Sequence, residues 1–122
     1  MSKHIMVVDD SKTIRNLLAF VIKAEDFKVS TAEDGLDALE KLYCGTHVDL
    51  ILTDINMPRM DGFTFIKMLR GQDTYKDIPI IVLSTEGQEK DIKEGMTIGA
   101  NLYMVKPAQP DKIVRNIKML LG

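Results

Sequence analysis

Five short apolar runs punctuate the chain: Ile5-Met6-Val7-Val8, a segment around Val29, Leu50-Ile51-Leu52, Ile80-Ile81-Val82-Leu83 and Leu102-Tyr103-Met104-Val105. Each is short, rich in branched apolar residues and bounded by polar ones, which is the pattern of a buried β-strand. The first, third and fourth are apolar at consecutive positions. That predicts strands covered on both faces, as in a parallel sheet, rather than strands with one wet face.

Helical spacing fills the intervals. Ile14, Leu17, Leu18, Val21 and Ile22 recur behind Ser11, whose hydroxyl suits an N-cap. Leu36, Leu39 and Leu42 mark a second helix stopped by Gly45, and Phe63, Ile66 and Leu69 a third stopped by Gly71. Ile113, Ile117, Leu120 and Leu121 mark the last, entered through Pro110 and Asp111. The stretch from Gln88 to Ile98 is the weakest helix. Its apolar positions are Ile92, Met96 and Ile98, and Gly95 costs about 1 kcal/mol of helix propensity relative to Ala. Strand–helix alternation with short connections predicts right-handed crossovers and one doubly wound α/β domain over residues 1–122, a five-stranded parallel sheet with five helices.

Composition supports that reading and narrows the function. The 122 residues are 45% hydrophobic and 28% charged, the balance of one soluble globular domain. A net charge of -2, with both signs mixed along the chain, gives no electrostatic reason to expect nucleic acid or an anionic membrane as partner. Cys44 is the only cysteine, so an internal disulfide and a cysteine-based metal site are excluded; near a helix end, it reads as a small apolar residue. His4 heads a strand and His47 lies in a loop, and both read as ordinary surface residues. No apolar run approaches the length of a membrane span, and the N-terminus lacks the features of a signal peptide. The expected compartment is the cytoplasm.

The chemistry gathers at one end of the strands, where open α/β sheets place their sites. The first strand runs out into Asp9-Asp10, the third into Thr53-Asp54, the fourth into Ser84-Thr85 and the fifth into Lys106-Pro107. Capping of the first helix would explain one of the adjacent acids, but not a third carboxylate arriving from another strand. Three neighbouring carboxylates repel and raise one another's pKa, and a divalent cation relieves that. All-oxygen ligands select Mg²⁺ or a similar hard ion, which favours phosphate oxygens as further ligands. Lys106 supplies a point charge for a phosphoryl oxygen or a structural partner for an Asp. Ser84 is expected to donate to another phosphoryl oxygen, and Thr85 to cap or space the fourth helix. Asp54, at the end of a central strand, is the candidate nucleophile, with Asp9 and Asp10 as the pair that holds the ion. No GxxxxGK[ST] or GxGxxG motif is present, and Pro58 and Arg59 break the calcium-loop pattern that begins at Asp54.

VVDDS at 7–11, LTDINMPRMDG at 52–62, LSTE at 83–86 and YMVKP at 103–107 together resemble the receiver domains of two-component response regulators, over the whole chain. The likeness is greatest to the single-domain chemotaxis members. It implies the flavodoxin-like strand order 2-1-3-4-5. It also implies that Asp54 is phosphorylated by a histidine kinase, and that Mg²⁺ is bound by Asp10, Asp54 and the backbone carbonyl of Asn56, with Asp9 assisting partly through water. Ser84 and Lys106 would bind the phosphoryl group. Tyr103 would be an aromatic switch that turns inward when Ser84 moves. Asn56 and Glu86 would modulate loss of the phosphoryl group, and Lys106-Pro107 would be cis. Many receivers carry Phe after Lys-Pro, whereas this chain has Ala108-Gln109-Pro110, so its partner surface is expected to differ in detail.

The expected protein is therefore a monomeric receiver with no output domain. It is not an enzyme beyond its own phosphoryl chemistry, and it signals by binding a partner such as a flagellar motor switch component. A phosphorelay intermediate, or a stand-alone receiver acting on a kinase, is the alternative within the class. A Mg²⁺-dependent phosphohydrolase with an aspartyl intermediate is the alternative outside it. The usual DxDx[TV] motif of that class would need an acid where Asn56 stands.

Overall fold

The protein is described by a computed structural model covering residues 2–122. Its elements run β1 (His4–Val8), α1 (Lys12–Lys23), β2 (Lys28–Ala32), α2 (Gly35–Tyr43), β3 (Leu50–Thr53), α3 (Gly62–Arg70), β4 (Ile80–Ser84), α4 (Glu89–Ile98), β5 (Leu102–Val105) and α5 (Pro110–Leu121). The sheet order is β2-β1-β3-β4-β5 and every pairing is parallel. The architecture and strand order expected from the sequence are both present.

Alternation along the strands builds two cores. Met6, Val8, Ile51, Ile80 and Val82 point to one face and pack with Leu39 and Leu42 of α2 and Phe65, Ile66 and Leu69 of α3. Ile5, Val7, Leu50, Leu52, Ile81 and Leu83 point to the other and meet Leu18 and Ile22 of α1 and Ile113 and Ile117 of α5. This double covering explains why β1, β3 and β4 are apolar without interruption.

Helix ends follow the sequence. Ser11 Oγ accepts the Ile14 N–H at 3.3 Å as N-cap of α1. Gly45, with φ of 103°, donates to the Leu42 carbonyl and turns the chain out of α2. Pro110 occupies the first turn of α5.

Several core assignments are corrected. Leu17, Leu36 and Met96 are exposed, whereas Leu18, Gly35 and Gly95 are buried. Successive helix positions turn by about 100°, so the buried stripe takes in Leu18 and leaves Leu17 toward solvent. In α4 the one fully buried residue is the glycine, and Ile98 packs partly buried beside the core. Thr85 does not cap that helix, since Gln88 is its N-cap and makes no side-chain cap hydrogen bond. Cys44 is exposed at the C-cap of α2. His4 is partly buried rather than a surface residue: its Nε2 lies 2.5 Å from Ser30 Oγ, and burial lowers its pKa against the pull of Asp49. His47 is exposed, as expected. Among the described residues no helix is long and apolar enough to cross a membrane.

Candidate functional site

Backbone pairing continues one residue past the strands and sets the site. The Asp54 N–H donates to the Val8 carbonyl at 2.8 Å, and the Asp9 N–H to the Ala32 carbonyl at 3.0 Å. Asp54 is thereby laid beside Asp9 at the carboxyl edge of the sheet. Asp10 lies beyond the pairing and is exposed. The Ser11 N–H donates to Asp9 Oδ1 at 2.9 Å and Arg15 Nη1 to the Asp9 carbonyl at 2.7 Å, so the chain turns sharply into α1. With Ser11 as the cap, helix capping does not account for either acid.

One carboxylate oxygen from each of Asp9, Asp10 and Asp54 lies within 4.8 Å of the others. Lys106 Nζ donates to Asp9 Oδ2 at 2.7 Å and to Asp54 Oδ2 at 3.2 Å, and forms no ion pair with Asp10. The Ile55 N–H donates to Asp54 Oδ1 at 2.7 Å. Asp9 is only 2% exposed. Burial raises the Asp54 pKa, and the Asp9 charge adds to that, while the Ile55 amide and Lys106 pull it down. Desolvation is thus the leading cause, and the like-charge repulsion expected from the sequence is a smaller one. Burial works against the Lys106 charge, but hydrogen bonding and proximity to Asp9 and Asp54 outweigh it and raise its pKa. Three carboxylates around one ammonium leave negative charge uncompensated. An all-oxygen set of this kind fits Mg²⁺.

Ser84 is wholly buried, and its Oγ accepts the Glu86 N–H at 3.1 Å. The Lys106 N–H donates to the Ser84 carbonyl at 2.8 Å, which keeps the ends of β4 and β5 together. The Lys106-Pro107 bond is cis. Asn56 Nδ2 donates to Glu86 Oε1 at 2.7 Å, so the two positions expected from the resemblance to act together do touch each other. Tyr103 is already turned in: its hydroxyl donates to the Glu86 carbonyl and its ring packs against the α2–α3 core. Burial, with nearby Asp91, Glu86 and Asp54, pushes its phenol up to about 12. The inward position expected when Ser84 moves is occupied here with Ser84 bonded to Glu86. Sequence reasoning missed the seat for this ring. A Cβ on Gly95 would stand 2.9 Å from Tyr103 Cδ2, so the absent side chain makes the space. The signal was a glycine in mid-helix.

Ala108 borders an apolar cleft of about 370 Å³ that Ile14, Leu17, Pro107 and Ile113 also line, next to Lys106. A larger residue after Lys-Pro would sit at this cleft, so the departure at Ala108 changes the surface beside the site.

Residues 5–118 match the response regulator receiver domain family. The chain is 34% identical over 119 residues to chemotaxis protein CheY1 of Helicobacter pylori, covering 97% of this chain and 96% of that one. It is 37% identical over 114 residues to protein PilG of Pseudomonas aeruginosa, covering 93% and 84%. Its fold matches the solved structure of the chemotaxis response regulator CheY4 of Vibrio cholerae with a TM-score of 0.91 and 36% identity, over 99% of this chain and 100% of that one. Its strand order, its carboxylate–lysine edge and these matches agree: the chain belongs to the response regulator receiver domain family.

Proposed function

We propose that the protein is a phosphorylation-activated signalling protein in which Asp54 accepts a phosphoryl group from the phosphohistidine of a histidine kinase. The observation that carries this reading is the Asp54 carboxylate itself. It is partly buried, oriented by the Ile55 amide, paired with Lys106 and grouped with two further carboxylates at the sheet edge. A purely structural ion pair would not need the third acid.

In the reaction a carboxylate oxygen of Asp54 forms a bond to phosphorus as the bond from phosphorus to the donor imidazole breaks. The electron pair of that bond leaves with the imidazole. Lys106, freed from part of its pairing with Asp54, follows the new phosphoryl oxygens, and the Ser84 hydroxyl is placed to donate to one of them once it leaves the Glu86 amide. Asp9, Asp10 and Asp54, with the Asn56 carbonyl, would hold Mg²⁺, which would supply neutralisation of the charge on the phosphoryl oxygens. Asn56 and Glu86, joined across the mouth, control the access of water to the product.

The output follows from the β4 and β5 ends. Movement of Ser84 changes its bond to Glu86, and Glu86 holds the Tyr103 hydroxyl, so the phosphoryl group acts on the surface of α4, β5 and α5. That surface exposes Met96 and Val105. A protein partner binds there; the similarity to chemotaxis proteins favours a component of a motility switch. The protein acts as a monomer in the cytoplasm and turns over no substrate other than its own phosphoryl group.

Intact mass after incubation with Mg²⁺ and a small acyl phosphate tests the acceptor. One phosphoryl adduct is expected on the wild-type protein and none on Asp54→Asn. An adduct at full yield on Asp54→Asn would overturn the assignment.

A further inference from the structure

We propose that Arg59 is a positioning residue for the divalent-ion side of the site, acting through a guanidinium fork on Asp34. The inference rests on the reading of the carboxylate cluster above and adds to it a residue of the following loop.

Arg59 Nε donates to Asp34 Oδ2 at 2.8 Å and Nη2 to Asp34 Oδ1 at 3.1 Å. Asp34 is 1% exposed and is the N-cap of α2, where its Oδ1 also accepts the Asp37 N–H at 2.9 Å. Burial opposes its charge, yet the hydrogen bonds from Arg59 and from backbone amides prevail and hold its pKa below the ordinary carboxylate value. The fork therefore ends on a fixed, ionised point at the start of a helix. Bidentate geometry transmits orientation as well as charge, which an ammonium would not do.

The other end of the fork is the loop between Asp54 and α3. Arg59 has φ of 61°, a region where a side chain is unfavourable and glycine is the usual occupant. The Met60 N–H donates back to the Pro58 carbonyl at 2.6 Å, so Arg59 is the centre of a very tight turn. A position of this kind retains a long charged side chain when the side chain itself is needed. The turn lies three residues beyond Asn56, whose carbonyl faces the ion in the reading above. Arg59 Nη2 also pairs with the exposed Glu33 at 3.6 Å, and the loop backbone is tied by single bonds: Gly62 N–H to the Ile55 carbonyl at 2.8 Å, and Gly35 N–H to the Met60 carbonyl at 3.1 Å. The fork is a two-point tie between this loop and the N-cap of α2, and it fixes the chain that presents Asn56.

A competing role is to neutralise Asp34 for the sake of α2 alone. The two roles separate in variants. Arg59→Gly removes the fork and relieves the turn, but leaves Asp34 without its cation. Arg59→Gly with Asp34→Asn removes that stranded charge while keeping a side-chain oxygen to cap α2. Titration calorimetry of the unphosphorylated full chain with MgCl₂ gives the affinity, and urea unfolding gives the stability. Backbone amide shifts of Asn56 and Met57 report the loop.

Both variants are expected to bind Mg²⁺ about 10-fold more weakly, the scale of losing an outer partner of a metal ligand. The double variant is expected to recover its urea midpoint without recovering Mg²⁺ affinity. Arg59→Lys, which keeps the charge but cannot fork, should fall between wild type and Arg59→Gly. Wild-type Mg²⁺ affinity in Arg59→Gly, or affinity that returns with stability in the double variant, overturns the proposal. If Asp54→Asn binds Mg²⁺ as tightly as wild type, it is the reading of the carboxylate cluster that fails, and the inference goes with it.

Discussion

Lys106 Nζ and Asp9 Oδ2, 97 residues apart in sequence, meet at 2.7 Å where β1 and β5 deliver them to one edge of the sheet. Lys106 reaches past β3 and β4 to make this contact and touches Asp54 at 3.2 Å on the way. The pair is sequestered, with side-chain exposures of 17% and 3%. Its loss leaves a buried carboxylate beside a second one.

Lys106→Met is therefore expected to destabilise the protein by about 3 kcal/mol in the absence of divalent ion, the lower end for breaking a buried pair. Mg²⁺ should restore part of that loss, because it offers the stranded carboxylates another cation. Lys106 has a raised pKa in the folded state, so its contribution is complete below its ordinary value of 10.5 and fades as pH rises through the folded value. Urea unfolding at pH 7 with and without Mg²⁺ checks both statements. Equal stability of variant and wild type without the ion would remove the structural role of the pair.

Asp54 carries the opposite liability. Its pKa is raised, first by burial. The folded state thus binds the proton more tightly than the unfolded one, and stability falls as pH rises from the ordinary carboxylate value of 3.8 through the folded value. Asp54→Asn removes that loss. The variant is expected to melt above wild type at pH 7 without Mg²⁺, by about 4 °C for each kcal/mol recovered in a chain of this size. The difference should shrink below about pH 4, where the wild-type carboxyl is protonated in both states. Calorimetric melts at the two pH values decide it.

Much of the site was legible because its parts stand at the ends of apolar runs. Asp9, Asp10, Asp54, Ser84 and Lys106 could be assigned to one edge as soon as the strands were read as parallel. Residues whose meaning depends on a tertiary approach were not legible. Of Leu17 and Leu18, only packing on the sheet decides which is buried. Arg59 looked like a residue that merely breaks a calcium loop, since its partner Asp34 lies 25 residues earlier, at the start of another helix. Gly95 looked like a weakness in α4, because the ring that needs its space belongs to β5. The resemblance to receivers supplied the role of Tyr103 but not the position its ring occupies here.

Gly62 permits the close return of α3 onto the end of β3. A Cβ there would stand 2.1 Å from the Asp54 backbone carbonyl oxygen, and no side-chain rotation can relieve a clash with backbone. Gly62→Ala is expected to cost more than about 3 kcal/mol, in the tail reserved for backbone conflicts. It should also displace the Asp54 carbonyl and impair phosphoryl acceptance in whatever fraction folds. Urea unfolding with parallel intact-mass measurement tests this, and a wild-type midpoint would show that the loop yields more easily than the geometry implies.

Gly95→Ala separates helix propensity from the position of the Tyr103 ring. Alanine in mid-helix should favour α4 by about 1 kcal/mol. Its methyl, however, would lie 2.9 Å from Tyr103 Cδ2 and 3.4 Å from Phe63 Cε1. The added methyl cannot retreat without moving α4, so the ring is expected to give way. Overpacking of this kind costs roughly 1–3 kcal/mol, enough to cancel the gain in propensity. A displaced ring loses the burial that pushes its phenol up to about 12, so its titration should move down toward the ordinary tyrosine value of 10.0. Ultraviolet absorbance of tyrosinate, with Tyr103→Phe to identify the contribution, follows that shift. If the phenol still titrates near 12 in Gly95→Ala, then α4 rather than the ring has moved, and the inward seat of Tyr103 does not depend on the glycine.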